Sequence, residues 1–148
     1  HFNCDAITVS PYMGEESIEP FISNPSKGAY VLCRTSNKSS TFIQEEIYSK
    51  VISLCEALNN QQNIGLVVGA TNDDALMQVR NSTDLPFLIP GIGAQGGDLQ
   101  SVLKINENSM DTTLINVSRG IIFSGNKDHD SIRNSAKQYL NQLRGLNG

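Results

Sequence analysis

The sequence predicts an α/β fold of the (β/α)8 TIM-barrel class, of which this chain supplies about five βα units. Short apolar segments alternate with segments of helical periodicity along the 148 residues, and this alternation is typical of a parallel sheet covered by helices. The predicted strands start roughly 23–35 residues apart, close to the ~30 residues that one unit of a barrel occupies. Polar or glycine-rich residues follow nearly every strand, where barrels place their active sites.

Five strands are predicted from runs of apolar, β-favouring residues that end in turn residues. They cover residues 5–9, 29–34, 64–68, 87–89 and 114–117. A five-stranded open sheet is the alternative, but such sheets concentrate ligand contacts at one switch point. Candidate contacts follow most of the strands in this chain, so the barrel is favoured.

The helices between these strands are predicted from apolar residues at helical spacing. They cover residues 17–21, 41–58, a segment opened by Asn72, residues 98–104 and residues 130–143. The long second helix is expected to turn one face inward, and so is the last helix. These faces comprise Ile43, Ile47, Val51, Leu54, Cys55 and Leu58 in the former, and Ile132, Ala136, Leu140 and Leu143 in the latter.

Composition narrows the possible partners and the compartment. The formal net charge is −4, and Lys and Arg are not clustered, which disfavours nucleic acid and anionic membranes as partners. No apolar run is long enough to span a bilayer. Cys33 and Cys55 lie in apolar patterns without metal-type spacing, so buried thiols in a reducing, cytoplasmic environment are expected. His1 lies almost directly against a strand pattern, which indicates a piece of a longer protein.

The strongest functional signal is the segment at residues 90–98, Pro-Gly-Ile-Gly-Ala-Gln-Gly-Gly-Asp. Glycines allow a ligand to approach the backbone, and backbone N–H groups can surround an anion. A strand-to-helix turn with Asp98 as the helix N-cap would explain one or two of the glycines. It would not explain four around one glutamine, so we predict that Gln95 contacts a ligand.

Arg119 follows the fifth predicted strand, between Ser118 and Gly120. A guanidinium beside free backbone N–H groups is suited to hold phosphate, and barrels often bind phosphate at their last two strands. An arginine that caps carbonyl groups at the barrel rim is the alternative. The position after a buried-type strand favours phosphate.

Two other strand ends carry polar or small residues. Thr35-Ser36-Asn37 offers hydroxyl and amide groups, and local sequence supports a ligand contact and a simple turn almost equally. Gly69-Ala70-Thr71 is interpreted as structural. No Lys or carboxylate is assigned to the carboxyl end of a strand, and no general acid and base are paired. The sequence therefore predicts a binding half-site, with no catalytic residue in this chain.

Several motifs occur in one order along the chain: DAITV and PYMG, then LCRTSN, GLVVGAT, PGIGAQGG and SRGI. This series resembles the orotidine 5′-phosphate decarboxylase family, in its longer-chain branch, over essentially the whole chain. Lys38-Ser39 departs from the Pro-Gly that commonly follows Thr-Ser-Asn in that family. The departure leaves Ser36 in place, and the shape of the turn that follows it stays open.

The resemblance implies that residues 1–148 form the carboxyl-terminal part of one (β/α)8 barrel domain, from its fourth strand to its eighth. It implies decarboxylation of orotidine 5′-phosphate (OMP) to UMP and CO₂ in de novo pyrimidine biosynthesis. The family works as a homodimer and uses neither metal nor organic cofactor. Its catalytic Lys and Asp residues belong to the second and third strands, which this sequence does not contain.

The resemblance also implies roles for residues that match its motifs. Ser36 would contact the pyrimidine, and Pro90 would line the base pocket. Gln95 would reach from a closing loop to the phosphate and the base. The phosphate would be held by Arg119, with the backbone of Ser118 or Gly120.

Two other functions stay open on the sequence alone. One is a non-catalytic module that binds a nucleotide or phosphate through Gln95 and Arg119. The other is a sister barrel enzyme that acts on a sugar phosphate, with the same phosphate grip and without the pyrimidine contacts.

Overall fold

The computed structural model describes residues 3–145 and shows a single parallel sheet of five strands in this range. The strands are β1 Ala6–Val9, β2 Gly28–Arg34, β3 Ile64–Val68, β4 Phe87–Pro90 and β5 Thr113–Asn116. Their order in the sheet is their order in the chain, as in a barrel wall and unlike a doubly wound sheet. The half-barrel prediction is confirmed.

Helices follow the strands as the spacing predicts. They are α1 Glu19–Ile22, α2 Thr41–Leu58, α3 Asp73–Arg80, α4 Leu99–Ile105, α5 Arg119–Ile122 and α6 His129–Gly145, with 3₁₀ helices at Glu15–Ser17 and Glu107–Thr112. The predicted bounds of α2 and β3 are correct, and most others differ by one or two residues. The predicted helix at residues 17–21 is instead a 3₁₀ turn followed by α1. Neither α5 nor the second 3₁₀ helix was predicted.

The core lies between the sheet and its helices. Alternate strand residues, among them Val31, Leu66 and Ile89, are completely buried and belong to one cluster with residues of α2, α3 and α4. The strand residues between them face the other side of the sheet, because side chains alternate along a strand. Strand pairing aligns four of these in one row: Leu32, Val67, Leu88 and Leu114. This row forms an apolar inner face like the side-chain layers inside a barrel.

A β-bulge near the end of β2 redirects the chain before the candidate site. Leu32 pairs with Val67 and Arg34 with Val68, so one extra residue, Cys33, is inserted in β2. Both bulge side chains contact α2: Cys33 Sγ lies 3.8 Å from the Tyr48 carbonyl oxygen, and Arg34 pairs with Glu45 at 2.7 Å. Bulges often re-aim side chains beside functional sites, and here the Ser36 segment follows directly.

The inward faces predicted for α2 and α6 are partly wrong. Ile43 is 50% exposed and Leu140 is 41% exposed. Ile43 lies in the first turn of α2, beyond the buried part of the helix. In α6 the buried position is taken by Ser135, whose hydroxyl donates to the carbonyl oxygen of Gly120. A hydrogen bond to the backbone thus selects the inner face of α6 over apolar periodicity.

The prediction that Cys33 and Cys55 are buried is confirmed, and both are free thiols. Burial raises the pKa of each to about 12. Within residues 3–145, no helix has the length and apolar character needed to cross a membrane. The same range holds no group of three or more His, Cys, Asp or Glu side chains that could bind a metal.

Candidate functional site

The carboxyl ends of β2, β4 and β5 meet around a cleft of about 180 Å³. Five of the six predicted site residues line it, and the sixth, Gly120, faces α6 instead. The lining residues from the prediction are Ser36, Pro90, Gln95, Ser118 and Arg119. The sequence therefore identified which segments come together, although these residues are up to 83 positions apart (119 − 36).

The glycine-rich segment 90–98 is a closed loop held by its own backbone. Gly97 N–H donates to the Gly91 carbonyl and Gly93 N–H donates to the Gly97 carbonyl, at 3.0 and 3.1 Å. Gly91 has φ +101°, which a residue with a side chain would adopt only with strain. Asp98 ends the loop and accepts from the Ser101 N–H at 3.0 Å, so it is the N-cap of α4, as the alternative interpretation of this segment as a strand-to-helix turn expects.

Gln95 is brought to the end of β2 by a hydrogen bond. The Ser36 hydroxyl donates to Gln95 Oε1 at 2.6 Å. This bond joins the segment after β2 directly to the segment after β4. A methyl group on Gly91 would lie 3.0 Å from the same oxygen, so the loop backbone packs closely on this contact. Among residues 3–145 the amide nitrogen of Gln95 has no acceptor, so it can donate to a ligand.

Ser36 and its neighbour Thr35 are held by two residues to which the sequence assigned no such hydrogen bonds. Gln44 in the first turns of α2 accepts from the Thr35 N–H at 2.7 Å. Thr71 donates its hydroxyl to the Ser36 carbonyl at 3.1 Å. The structural interpretation of residues 69–71 therefore agrees with the observed contacts. A methyl group on Gly69 would lie 2.7 Å from the Ser36 amide nitrogen, so only glycine fits there.

Arg119 opens α5 and is exposed. Within residues 3–145 its guanidinium takes part in none of the ion pairs, which are Lys27–Asp5, Arg34–Glu45 and His129–Asp130. It also makes no side-chain hydrogen bond to another described residue. The expectation that it caps rim carbonyls finds no support, and the guanidinium is available to an anionic ligand.

Asn116 is a cleft residue that sequence reasoning missed. It pairs with Pro90 across β4 and β5 and lines the same cleft. Its side-chain amide lies 3.5 Å from the Ser118 hydroxyl. The sequence did contain a signal for Asn116, since it is a polar residue at the end of an otherwise apolar strand. Its side chain projects from the face opposite to that of its immediate neighbours.

Lys38 corrects the statement that no lysine lies at a strand end. It stands four residues beyond β2 and lines a second cleft, of about 290 Å³, together with Ser36 and Gln95. The turn that carries it is ordered, since Ser40 N–H donates to the Asn37 carbonyl at 3.0 Å. Lys38 therefore places a cation beside the cleft that Ser36 and Gln95 also line.

The cleft has the character of a binding site for a polar, anionic molecule. It combines one guanidinium, two hydroxyl groups and two amides with the proline that ends β4. It contains no carboxylate and no paired acid and base. Chemically, these groups can hold and orient a ligand, and proton transfer would need other residues.

Comparisons with known proteins agree with this geometry. A sequence model described as "Orotidine 5′-phosphate decarboxylase / HUMPS family" matches residues 1–132. An orotidine 5′-phosphate decarboxylase of Halorubrum lacusprofundi is 43% identical over 134 residues, which cover 82% of this chain and 49% of the relative. The chain thus spans about half the length of the curated relatives that it matches.

Solved structures show the same relation. The OMP decarboxylase of Leishmania donovani superposes with a TM-score of 0.84 at 38% identity, covering 97% of this chain and 58% of that one. The UMP synthase of the same organism gives a TM-score of 0.83 at 40% identity, covering 96% of this chain and 33% of that one.

Proposed function

The chain belongs to the orotidine 5′-phosphate decarboxylase / HUMPS family, and we propose that it forms the phosphate- and base-binding half of a barrel that decarboxylates OMP to UMP and CO₂. Residues 1–148 would be the carboxyl-terminal part of a single (β/α)8 domain. The reaction would belong to de novo pyrimidine biosynthesis. The catalytic Lys and Asp residues would come from strands that precede these five.

The observation that carries this proposal is the contact between Ser36 and Gln95 beside an unpaired Arg119. A nucleotide needs one group at its base and another at its phosphate, and these three side chains supply both within one cleft. In the proposed complex, Ser36 contacts the pyrimidine and Pro90 lines the base pocket. Gln95 bridges base and phosphate.

The phosphate would be held by Arg119 and by backbone N–H groups near Ser118 and Gly120. The first N–H groups of a helix have no partner within the helix, and α5 begins at Arg119. A guanidinium with adjacent N–H donors matches the geometry of a phosphate. This assignment supports a nucleoside monophosphate over an unphosphorylated nucleoside.

The loop at residues 90–98 would close over the bound nucleotide. Decarboxylation leaves a carbanion at the pyrimidine carbon, which a lysine of the preceding strands would protonate. The phosphate is remote from that carbon. Its binding energy can still lower the barrier, because loop closure that it drives removes water from the reacting end. The Ser36–Gln95 contact supports this role, since it joins the loop to the base side.

The proposal includes a homodimer in the cytoplasm and requires neither metal nor organic cofactor. Support for self-association comes from an apolar cleft of about 510 Å³ near the ends of β1 and the start of α2. Tyr12 and Phe42 line it and are 80% and 86% exposed. Exposed apolar patches of this kind mark protein interfaces.

The direct test is turnover of OMP by the protein that contains this chain together with its preceding strands. We expect conversion to UMP and CO₂, and chromatography of the nucleotides measures it. UMP should bind more tightly than ribulose 5-phosphate in calorimetry, because only UMP has a base for Ser36 and Pro90. Preference for the sugar phosphate would favour a sister barrel enzyme, and UMP binding without turnover would favour a non-catalytic module.

A further inference from the structure

Helix α6 contacts both ligand-side loops from behind. The Ser135 hydroxyl donates to the Gly120 carbonyl at 2.8 Å. One turn further on, the Tyr139 hydroxyl lies against two glycines of different loops. A methyl group on Gly93 would lie 2.5 Å from Tyr139 Oη, and one on Gly120 would lie 2.7 Å from it.

These two glycines belong to the segments that carry the ligand contacts. Gly93 lies two residues before Gln95 in the glycine loop, and Gly120 directly follows Arg119. The single oxygen atom of Tyr139 therefore separates the backbone that bears Gln95 from the backbone that bears Arg119. Neither glycine leaves room for a side chain on that side.

The Tyr139 ring is held in place at its other end. It is half-buried and packs on the main hydrophobic cluster, while Ser135 anchors the same helix face to α5. A side chain whose rotamer is locked by packing can set the spacing of the groups it touches. Displacement of a binding group by ~1 Å can cost about 100-fold in rate.

We propose that Tyr139 is a positioning residue that sets the distance between Gln95 and Arg119 and thereby the affinity for the phosphate of the ligand. The proposal rests on the proposed function for the identity of that ligand. A purely structural tyrosine would lower thermal stability and leave the relative affinities for phosphorylated and unphosphorylated ligands unchanged.

A double-mutant cycle between Tyr139 and Gly120 tests this in the complete protein. Gly120→Ala places a methyl group against the tyrosine hydroxyl, so UMP affinity is expected to fall about tenfold, within the range of coupled neighbours. Tyr139→Phe alone is expected to cost less, because only one atom is removed. The double variant should recover most of the loss, since its nearest remaining neighbours lie at 3.3 and 3.4 Å.

The readouts are the Kd values for UMP and uridine by calorimetry, KM and kcat for OMP, and the Tm. Affinity for UMP should change and affinity for uridine should not, with KM rising more than kcat falls. Leu140→Ala is the control, because Leu140 is exposed on the same helix. Additive effects of the two substitutions, or equal losses for UMP and uridine, would overturn the proposal.

The same experiment separates this proposal from the proposed function. A wild-type protein that binds UMP and does not convert OMP contradicts the function, while coupling between Tyr139 and Gly120 in UMP binding would still support the positioning role. A wild-type protein that converts OMP with no coupling contradicts only the positioning role. If the wild-type protein binds no UMP, both are wrong.

Discussion

At the scale of single residues, Gln95 and Arg119 have the sharpest expected effect on activity. In the proposed complex, replacing either by Ala would remove a charge-assisted or amide contact to the phosphate, and with it part of the interaction that would help the loop to close. We expect kcat/KM for OMP to fall by the equivalent of about 2–5 kcal/mol of transition-state stabilisation. Steady-state kinetics of the complete protein measures this. Arg133→Ala and Gln100→Ala, at exposed helix positions, are matched controls, and near wild-type kcat/KM in both site variants would refute the assignment.

Arg80 illustrates a half-buried cation with a structural role. Its guanidinium carbon lies 3.4 Å from the centre of the Phe87 ring, and it donates to Asn106 Oδ1 and the Leu85 carbonyl at 3.0 and 3.2 Å. Burial lowers the pKa of Arg80 from its ordinary value, and the nearby Asp84 opposes this shift. These contacts fix α3 to the end of β4 that lies away from the cleft.

Arg80→Ala is therefore expected to lower the free energy of unfolding by about 2–4 kcal/mol, because it leaves two buried acceptors without a donor. Urea denaturation measures the loss. The substitution should leave KM for OMP unchanged, since Arg80 lies outside the cleft. A change below about 0.5 kcal/mol, as expected for the exposed Arg133→Ala, would contradict this structural role.

At the scale of secondary-structure elements, the packing of β2 on α2 predicts a dependence of stability on pH. Cys33 in β2 and Cys55 in α2 are both buried. Burial raises the pKa of each thiol from 9.0 to about 12. The unfolded chain ionises these thiols at lower pH than the folded protein does. The stability that the two thiols contribute is therefore fully present below pH 9, and this contribution should be lost progressively as the pH rises from about 9 towards 12.

Urea denaturation between pH 7 and 10.5 measures this dependence. Tyr30, whose pKa burial also raises, acts in the same direction at the upper end of the range. Cys55→Ala should reduce the slope of stability against pH, even though it lowers stability at every pH. A slope that is unchanged in Cys55→Ala would show that the buried thiols are not its origin.

Asp98 separates a helix cap from a ligand contact within the glycine-rich segment. Its carboxylate accepts from Ser101 N–H, so Asp98→Ala should cost about 1 kcal/mol of stability and Asp98→Asn much less. Thermal unfolding measures both. KM for OMP should change little in either variant. A large rise in KM for Asp98→Asn, with unchanged stability, would assign Asp98 to the ligand instead.

The elements also show what sequence can predict. The bounds of α2 and β3 followed from local periodicity, because burial of one face determines both. The bulge at Cys33 was not predictable, since one extra residue in a strand leaves the apolar pattern almost unchanged. The inner face of α6 was misassigned because Ser135 is buried through a hydrogen bond to Gly120, a contact between segments 15 residues apart. Ser36 and Gln95 were identified singly, and their direct contact required the fold.

At the scale of the whole molecule, the five strands leave an apolar surface open. Leu114 of the inner row is 53% exposed. Ile7, near one sheet edge, is 47% exposed, and Phe123, near the other edge, is 58% exposed. A polypeptide limited to residues 1–148 is therefore expected to bind the dye ANS strongly and to self-associate. Fluorescence titration and sedimentation measure these properties.

Addition of a second polypeptide that carries the preceding strands of a relative, such as the Halorubrum lacusprofundi protein, should suppress dye binding by covering the inner row. Decarboxylation of OMP should appear in the same mixture, because the binding half-site and the catalytic residues would then share one cleft. Leu114→Glu should block both effects, since it places a charge on the inner face. Leu140→Glu, at an exposed position on α6, should block neither. A monomer of residues 1–148 that binds no dye and unfolds cooperatively would contradict the expected need for a complementary half.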